Sequence, residues 1–215
     1  MARKTKDEAL ETRERILDAA ERVFQQKGVS RTSLNEVAAA AGVTRGAIYW
    51  HFQNKAELFD AMILRVVEPF ENLCGGPDIL VGREDPLAFV RDMSLRFLQR
   101  MATDRRYCQV FDIAWHKCEY VDEMIAIRDK HLEVGSRHLA VLETAIRDAR
   151  DKGRLRGDVD PRQAAVGLRA LVDGLAINWT LDPGGFPLAE MAPGIIDSYL
   201  AGLGVQYSAE GGGCH

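Results

Sequence analysis

The chain has 215 residues, 47% of them apolar and 28% charged, enough for one or two domains with real hydrophobic cores. No run of about 18 uncharged apolar residues occurs, which excludes a helical membrane span, and the opening Met1-Ala2-Arg3-Lys4-Thr5-Lys6 lacks the apolar stretch of a secretory signal. The net charge of −4 argues at first against nucleic acid, yet residues 1–65 hold 11 Lys or Arg against 9 Asp or Glu, so the acidity belongs to the rest. Within residues 27–56, Lys27, Arg31, Arg45 and Lys55 are set against one acid, Glu36, and Arg3, Lys4 and Lys6 precede them. Such a local footprint, rather than net charge, is what phosphate binding requires. A cytoplasmic location is expected, and there Cys74, Cys108, Cys118 and Cys214, which lack C-x-x-C spacing, are expected as free thiols.

Apolar residues recur at intervals of three and four along nearly the whole chain, which predicts an all-α fold of about nine helices. Residues 8–27 form the first, with Ile16, Leu17, Ala20, Val23 and Phe24 on one face and Gly28 as its stop. Ser33-Leu34-Asn35-Glu36 is a capping box that opens a second helix from Leu34 to Ala41, ended by Gly42. Thr44 caps a short third helix, Arg45 to Phe52, and the box Asn54-Lys55-Ala56-Glu57 starts a fourth. Beyond the loop Gly75-Gly76-Pro77-Asp78, Asp85-Pro86 opens a helix to about 102, and others are predicted over 104–117, 121–151, 161–181 and 188–203. The division is a head at 1–65, a larger domain at 66–207 and a flexible tail at 208–215.

The second and third helices are joined by Gly42-Val43-Thr44, a helix-turn-helix by length and residue type. Ala38 leaves room for the helix crossing, while Val37, Val43 and Ile48 fill the small core beneath. At about 100° per residue, Ile48 and Phe52 share an inward strip, and Arg45 and Tyr49 the strip beside it. Arg45 stands in the first turn, where its planar fork can bind guanine O6 and N7, and Tyr49 can meet a thymine methyl or a phosphate. Gly46 lets the helix lie close to the groove, at roughly 1 kcal/mol of helix propensity. Trp50 and His51 lie towards the rim, and Thr32, Ser33, Thr44 and Lys55 sit at helix N-termini that favour anions.

The segment from Ser33 to Ala38, the run Gly42-Val43-Thr44-Arg45-Gly46-Ala47-Ile48-Tyr49-Trp50-His51-Phe52 and Asn54-Lys55 together resemble the N-terminal domain of TetR-type repressors. The basic leader and the later His116-Lys117-Cys118-Glu119 are similar to the AcrR/TtgR-type branch, which represses multidrug efflux pumps. The resemblance implies an all-helical homodimer on a palindromic operator, released by a hydrophobic small-molecule inducer bound in the C-terminal domain. Thr32, Thr44, Arg45, Gly46, Tyr49, Trp50, His51 and Lys55 match the motif's DNA-facing positions. A DNA-binding regulator or architectural protein without an inducer is the alternative.

In the larger domain, Gly167, Ala170 and Gly174 put small residues on one side of their helix, and Ile195, Ile196, Tyr199, Leu200 and Leu203 form an apolar strip on the last one. These two helices are expected to pair with their copies as a four-helix bundle. Met93, Phe97 and Met101 share one helix face, as do Cys108, Phe111 and Trp115, a composition that suits a permissive apolar pocket as well as an ordinary core. Asp173, beside Val172 and Ala176, is read either as a polar contact to the ligand together with Asn178, or as the ion-pair partner of Arg169. No enzyme is expected: His131 and His138 are about 10 Å apart along a helix, His116 and Glu119 lack a third ligand, and no phosphate-binding or nucleophile-elbow motif occurs. Neither a cofactor nor a metal is called for.

Overall fold

Side-chain caps set most of the helix boundaries in this computed structural model, which describes residues 6–74 and 77–204, with the side chains of 68–74 excepted. Its helices are α1 Lys6–Lys27, α2 Leu34–Ala41, α3 Arg45–His51, α4 Lys55–Cys74, α5 Pro86–Thr103, α6 Arg105–His116, α7 Ile125–Asp151, α8 Pro161–Leu181 and α9 Leu188–Gly202. Asp85, Asp104 and Asp160 each accept a backbone N–H three residues on, from Ala88 at 2.9 Å, Tyr107 at 3.0 Å and Gln163 at 2.7 Å. The helix predicted from 121 begins later, because Asp122 adopts φ 49° and Asp122–Met124 form a separate 3-10 turn. Arg3 and Lys4 of the basic leader, the Cys74 side chain, the tail at 208–215 and Cys214 lie outside the described residues.

These helices sort into two compact units by their contacts, and the first draws on chain from both sides of residue 65. The first unit joins α1 to α4 with Arg100–Gly135 and Thr180–Asp182, so that α6 packs with the head. Its core holds Ile16, Leu17, Phe24, Ile48, Phe52, Leu58, Phe59, Met62, Tyr107 and Ile113. Charge explains why α6 belongs there. Glu21 of α1, with its side chain 9% exposed, accepts from Arg106 Nε of α6 at 3.0 and 3.2 Å and from Arg65 of α4. Arg106 also reaches Asp18 at 2.6 Å, and Arg65 reaches Glu14 at 2.7 Å and Asp18 at 3.0 Å. Further along α6, Gln25 donates to Asp112 at 2.8 Å, Lys117 donates to the Gln25 carbonyl at 3.1 Å, and Val29 N–H donates to the Lys117 carbonyl at 2.8 Å.

The second unit takes the described chain from Pro77 to Gln99, then Ser136–Trp179 and the part from Pro183 on. Val90, Leu98, Ile146, Ala165, Leu168, Ile196 and Leu200 are buried in it. Two forked pairs brace it: Arg154 on Asp85 at 2.7 and 2.9 Å, and Arg91 on Asp197 at 2.5 and 2.7 Å.

Glu21→Ala leaves two guanidinium groups facing each other without their buried carboxylate, and is expected to cost about 3 kcal/mol in a urea unfolding titration. Glu14→Ala, at a half-exposed end of the same network, is expected to cost less than about 1 kcal/mol.

Candidate nucleic-acid interface

The helix-turn-helix is assembled from local hydrogen bonds around two short helices. Ser33 Oγ accepts the Glu36 N–H at 3.3 Å, while Glu36 accepts the Ser33 N–H at 2.8 Å and pairs with Lys27 at 2.7 Å. The Lys27 bond first, and the Ser33 bonds after it, hold the Glu36 carboxyl down at about 2. Gly42 ends α2 at φ 65°, a left-handed conformation that suits a residue without Cβ. Arg15 of α1 completes that end, donating to the Ala41 carbonyl at 2.8 Å. Thr44 Oγ1 accepts the Ala47 N–H at 3.1 Å and so starts α3, whose Ile48 is fully buried, as is Phe52 just beyond it. Arg13 covers the Phe52 ring at 5.4 Å.

On the opposite side α3 shows what the sequence assigned to DNA. Arg45 is exposed and lies over the Tyr49 ring at 5.6 Å, Tyr49 is 44% exposed and Trp50 72%. His51 is half-buried and meets Trp50 edge-on at 4.5 Å. A Cβ on Gly46 would meet only Thr44 Oγ1, at 4.0 Å, so packing within the chain does not demand a glycine there.

Three of the helix-terminal residues differ from the sequence reading. Thr32 is buried and its hydroxyl donates to the Gly28 carbonyl at 2.8 Å, which makes it a brace of the turn between α1 and α2 instead of a phosphate contact. The Ser33 hydroxyl is exposed but donates to Glu36 at 2.9 Å. Lys55 is turned inward, its ammonium 3.2 Å from the Ser30 carbonyl and 3.9 Å from Glu123. At the head of α4, Asn54 accepts the Glu57 N–H at 2.8 Å, and Glu57 reaches the Gln53 N–H at 2.7 Å, one residue before the cap expected for it. Sequence reasoning missed Arg15 and Glu123, because their partners lie 26 and 68 positions away, beyond any local spacing rule.

The ligand candidates separate by unit. In the first unit Tyr107, Phe111 and Trp115 form a ladder along α6, with ring centroids 4.8 Å apart at each step; Tyr107 is buried, Phe111 and Trp115 half-buried. Met101 is fully buried and is core. Burial pushes the Cys108 thiol up, and pushes that of Cys118 up to about 11, which favours inert thiols over a redox switch. In the second unit Met93 and Phe97 are half-buried, and Val172 and Ala176 buried. Asp173 takes the ion-pair reading, with Arg169 Nε at 3.2 Å and its own side chain 44% exposed. Asn178 is exposed and donates to the Gly174 carbonyl at 2.7 Å, so it is a surface residue rather than a polar contact in an apolar pocket.

The dimer candidates also divide. Ile196 and Leu200 are buried in the chain's own core, on the same α9 face as Leu188 and Ala192. Gly167 makes room for Tyr199, whose hydroxyl donates to the Ala164 carbonyl at 2.8 Å. Ala170 is exposed, Gly174 opens on empty space, and Ile195 and Leu203 are half-buried. Val166, Leu181 and Met191, unassigned from the sequence, are 47%, 64% and 45% exposed.

A capped pair of helices around a left-handed glycine, the second burying Ile48 and showing Arg45, Tyr49 and Trp50, defines a helix-turn-helix DNA-binding protein. The chain belongs to the tetR family of bacterial regulatory proteins, whose model matches residues 16–62, and the C-terminal region of MAATS-type transcriptional repressors matches residues 85–205. It is a transcriptional regulator and not an enzyme. It is 41% identical to the HTH-type transcriptional regulator TtgR of Pseudomonas putida, over 85% of this chain and 87% of that one. Among solved structures it is similar to NalD, the secondary repressor of the MexAB-OprM multidrug efflux pump in Pseudomonas aeruginosa, with TM-score 0.82, 35% identity, and 91% and 96% of the two chains covered. It is similar also to SmeT, the repressor of the Stenotrophomonas maltophilia multidrug efflux pump SmeDEF, in its complex with triclosan, with TM-score 0.77, 33% identity, and 89% and 90% covered.

The low carboxyl of Glu36 has a consequence for α2. Because its pKa falls from 4.5 to about 2 in the folded chain, its contribution is complete above about 4.5 and is lost as pH falls to about 2. Urea unfolding at a series of pH values is expected to show Glu36→Gln less stable than the parent at pH 6, with the difference closing across that window.

Proposed function

We propose that the chain is a dimeric repressor of a multidrug efflux operon, acting in the cytoplasm, which an apolar small molecule releases from a palindromic operator. The observation that carries the reading is the outward strip of α3: Arg45, Tyr49 and Trp50 stand in solvent on a helix that buries Ile48 on its other side. Arg45 would read a base edge, Tyr49 a methyl or phosphate, and Trp50 and His51 phosphates at the rim, with Gly46 permitting close approach. Ser33 and Thr44 would add backbone-positioning contacts through the helix starts they cap.

A helix-turn-helix reads one half-site, so operator binding calls for two copies with α3 helices about 34 Å apart. The face proposed for pairing runs along α8 through Val166, Ala170 and Gly174 and along α9 through Met191 and Ile195, all exposed or half-buried in the single chain. Light scattering should give the mass of two chains; a single-chain mass at operator-binding concentrations would defeat this part.

For the inducer, the relevant feature is the α6 ladder. Phe111 and Trp115 continue the stack begun by Tyr107 and keep part of their faces open, which suits a planar apolar ligand. Such a ligand weakens operator binding by favouring a conformation with displaced recognition helices, with a coupling of roughly 1 to 3 kcal/mol.

Fluorescence anisotropy on the DNA upstream of the chain's own gene is the test. Salt-sensitive, sequence-specific binding is expected, and its absence would end the repressor reading. Arg45→Ala is expected to lose about 1 to 3 kcal/mol of discrimination at one base pair, leaving non-specific affinity nearly unchanged. Planar hydrophobic dyes or drugs titrated into the complex should displace the protein, and Trp115→Ala should raise the concentration needed by about tenfold. A complex that no such ligand dissociates would instead favour an inducer-free regulator.

A further inference from the structure

Lys55 opens α4 beside the reading face, where cations are needed to meet operator phosphates, yet its ammonium points the other way. Nζ donates to the Ser30 carbonyl at 3.2 Å and lies 3.9 Å from Glu123, and the lysine side chain is only 16% exposed against 44% for the glutamate. Glu123 belongs to the 3-10 turn Asp122–Met124 that links α6 to α7, within the same compact unit. Both residues beside it shape the turn. Met124 is buried, and Asp122 turns the chain at φ 49°, a left-handed conformation that aspartate tolerates better than most residues with a Cβ. Nearby, the Lys117 carbonyl accepts from Val29, and Lys130 at the start of α7 pairs with Asp60 of α4 at 2.6 Å. The turn between α1 and α2 and the first two turns of α4 therefore both rest on the connection from α6 to α7.

Resting on the repressor reading above, we propose that Glu123 is an internal stand-in for an operator phosphate, which holds Lys55 back in the free protein. Lys55 then meets an operator phosphate only in complexes where its ammonium has exchanged the carboxylate for the phosphate. Because Glu123 is carried by the segment that follows α6, any displacement of α6 alters how readily Lys55 is released. The number of phosphates the head can neutralise thus depends on the state of a helix outside the helix-turn-helix. The contact is autoinhibitory and graded: it weakens the grip on every sequence alike and leaves base reading to α3.

The full-length chain, its operator duplex and a salt titration decide the matter. Glu123→Gln is expected to tighten binding by about two- to fivefold, the size appropriate to one half-exposed ion pair. It should also steepen the dependence of log K on log salt by about 0.9, the share of one added phosphate contact. Lys55→Ala should weaken binding and abolish the gain from Glu123→Gln. If the two changes were additive, Glu123 would be repelling DNA at a distance instead of holding Lys55, and the proposal would fall. Glu119→Gln, which removes an exposed acid from the same connection, controls for bulk charge: an equal gain there, or no gain with Glu123→Gln, would overturn it as well. Absence of a specific site in the parent would count against the repressor reading alone, since the same double-mutant cycle on non-specific duplex at low salt still measures the coupling.

Discussion

Much of the first unit depends on one buried carboxylate. Glu21 sits on α1, which leads into the helix-turn-helix, and receives a guanidinium from α4 and another from α6. A charge this far from water is tolerated only when matched, so the three helices are held at one mutual placement by a demand that packing alone would not make. The outer acids Glu14 and Asp18 share the excess positive charge, which turns separate pairs into a network. The same constraint explains why α6, distant in sequence, belongs with the head.

The helix bound to Glu21 has two working sides. Arg106, Asp112 and Lys117 fasten one side of α6 to α1, and Tyr107, Phe111 and Trp115 stack along the other. Polar contacts hold one orientation of the helix, while the ladder carries the half-buried Phe111 and Trp115 to which the proposed inducer would bind. Coupling between sites needs a structural element with two arrangements and a differential contact in each. An ionic clamp with discrete partners supplies the first more readily than an apolar interface that slides.

The helices and the reading face were legible in the sequence because both follow from rules that span four residues or fewer. Ser33 with Glu36, Thr44 before Arg45, Asp85 before Pro86 and Gly42 after Ala41 are local geometry written in residue type. The inward placing of Ile48 and Phe52 and the outward placing of Arg45 and Tyr49 follow from helical period alone. What stayed hidden falls into two kinds. Thr32, Lys55, Arg15 and Glu21 have roles set by folded-state neighbours that spacing does not specify, and the types of the first three suit a brace as well as a phosphate contact. On α9 the difficulty is phase. With Leu188, Ala192, Ile196 and Leu200 on one strip and Met191 and Ile195 on the next, apolar residues cover most of the circumference, and only burial separates a core face from a face left for a partner.

The recognition helix shows how the two kinds of information meet. Seven residues with a glycine among them are too few to be helical in isolation, so α3 exists because Thr44 caps it, Ile48 and Phe52 anchor it, and Arg15 holds the end of the helix before it. Stability is thus supplied from behind and from the ends, which frees the front from any structural duty. That is why the front can carry an arginine, a tyrosine and a largely exposed tryptophan, a combination that folding does not require and that DNA does. A glycine among them at Gly46, where a Cβ would have had space, points the same way: the surface is shaped for what approaches it and not for what lies beneath.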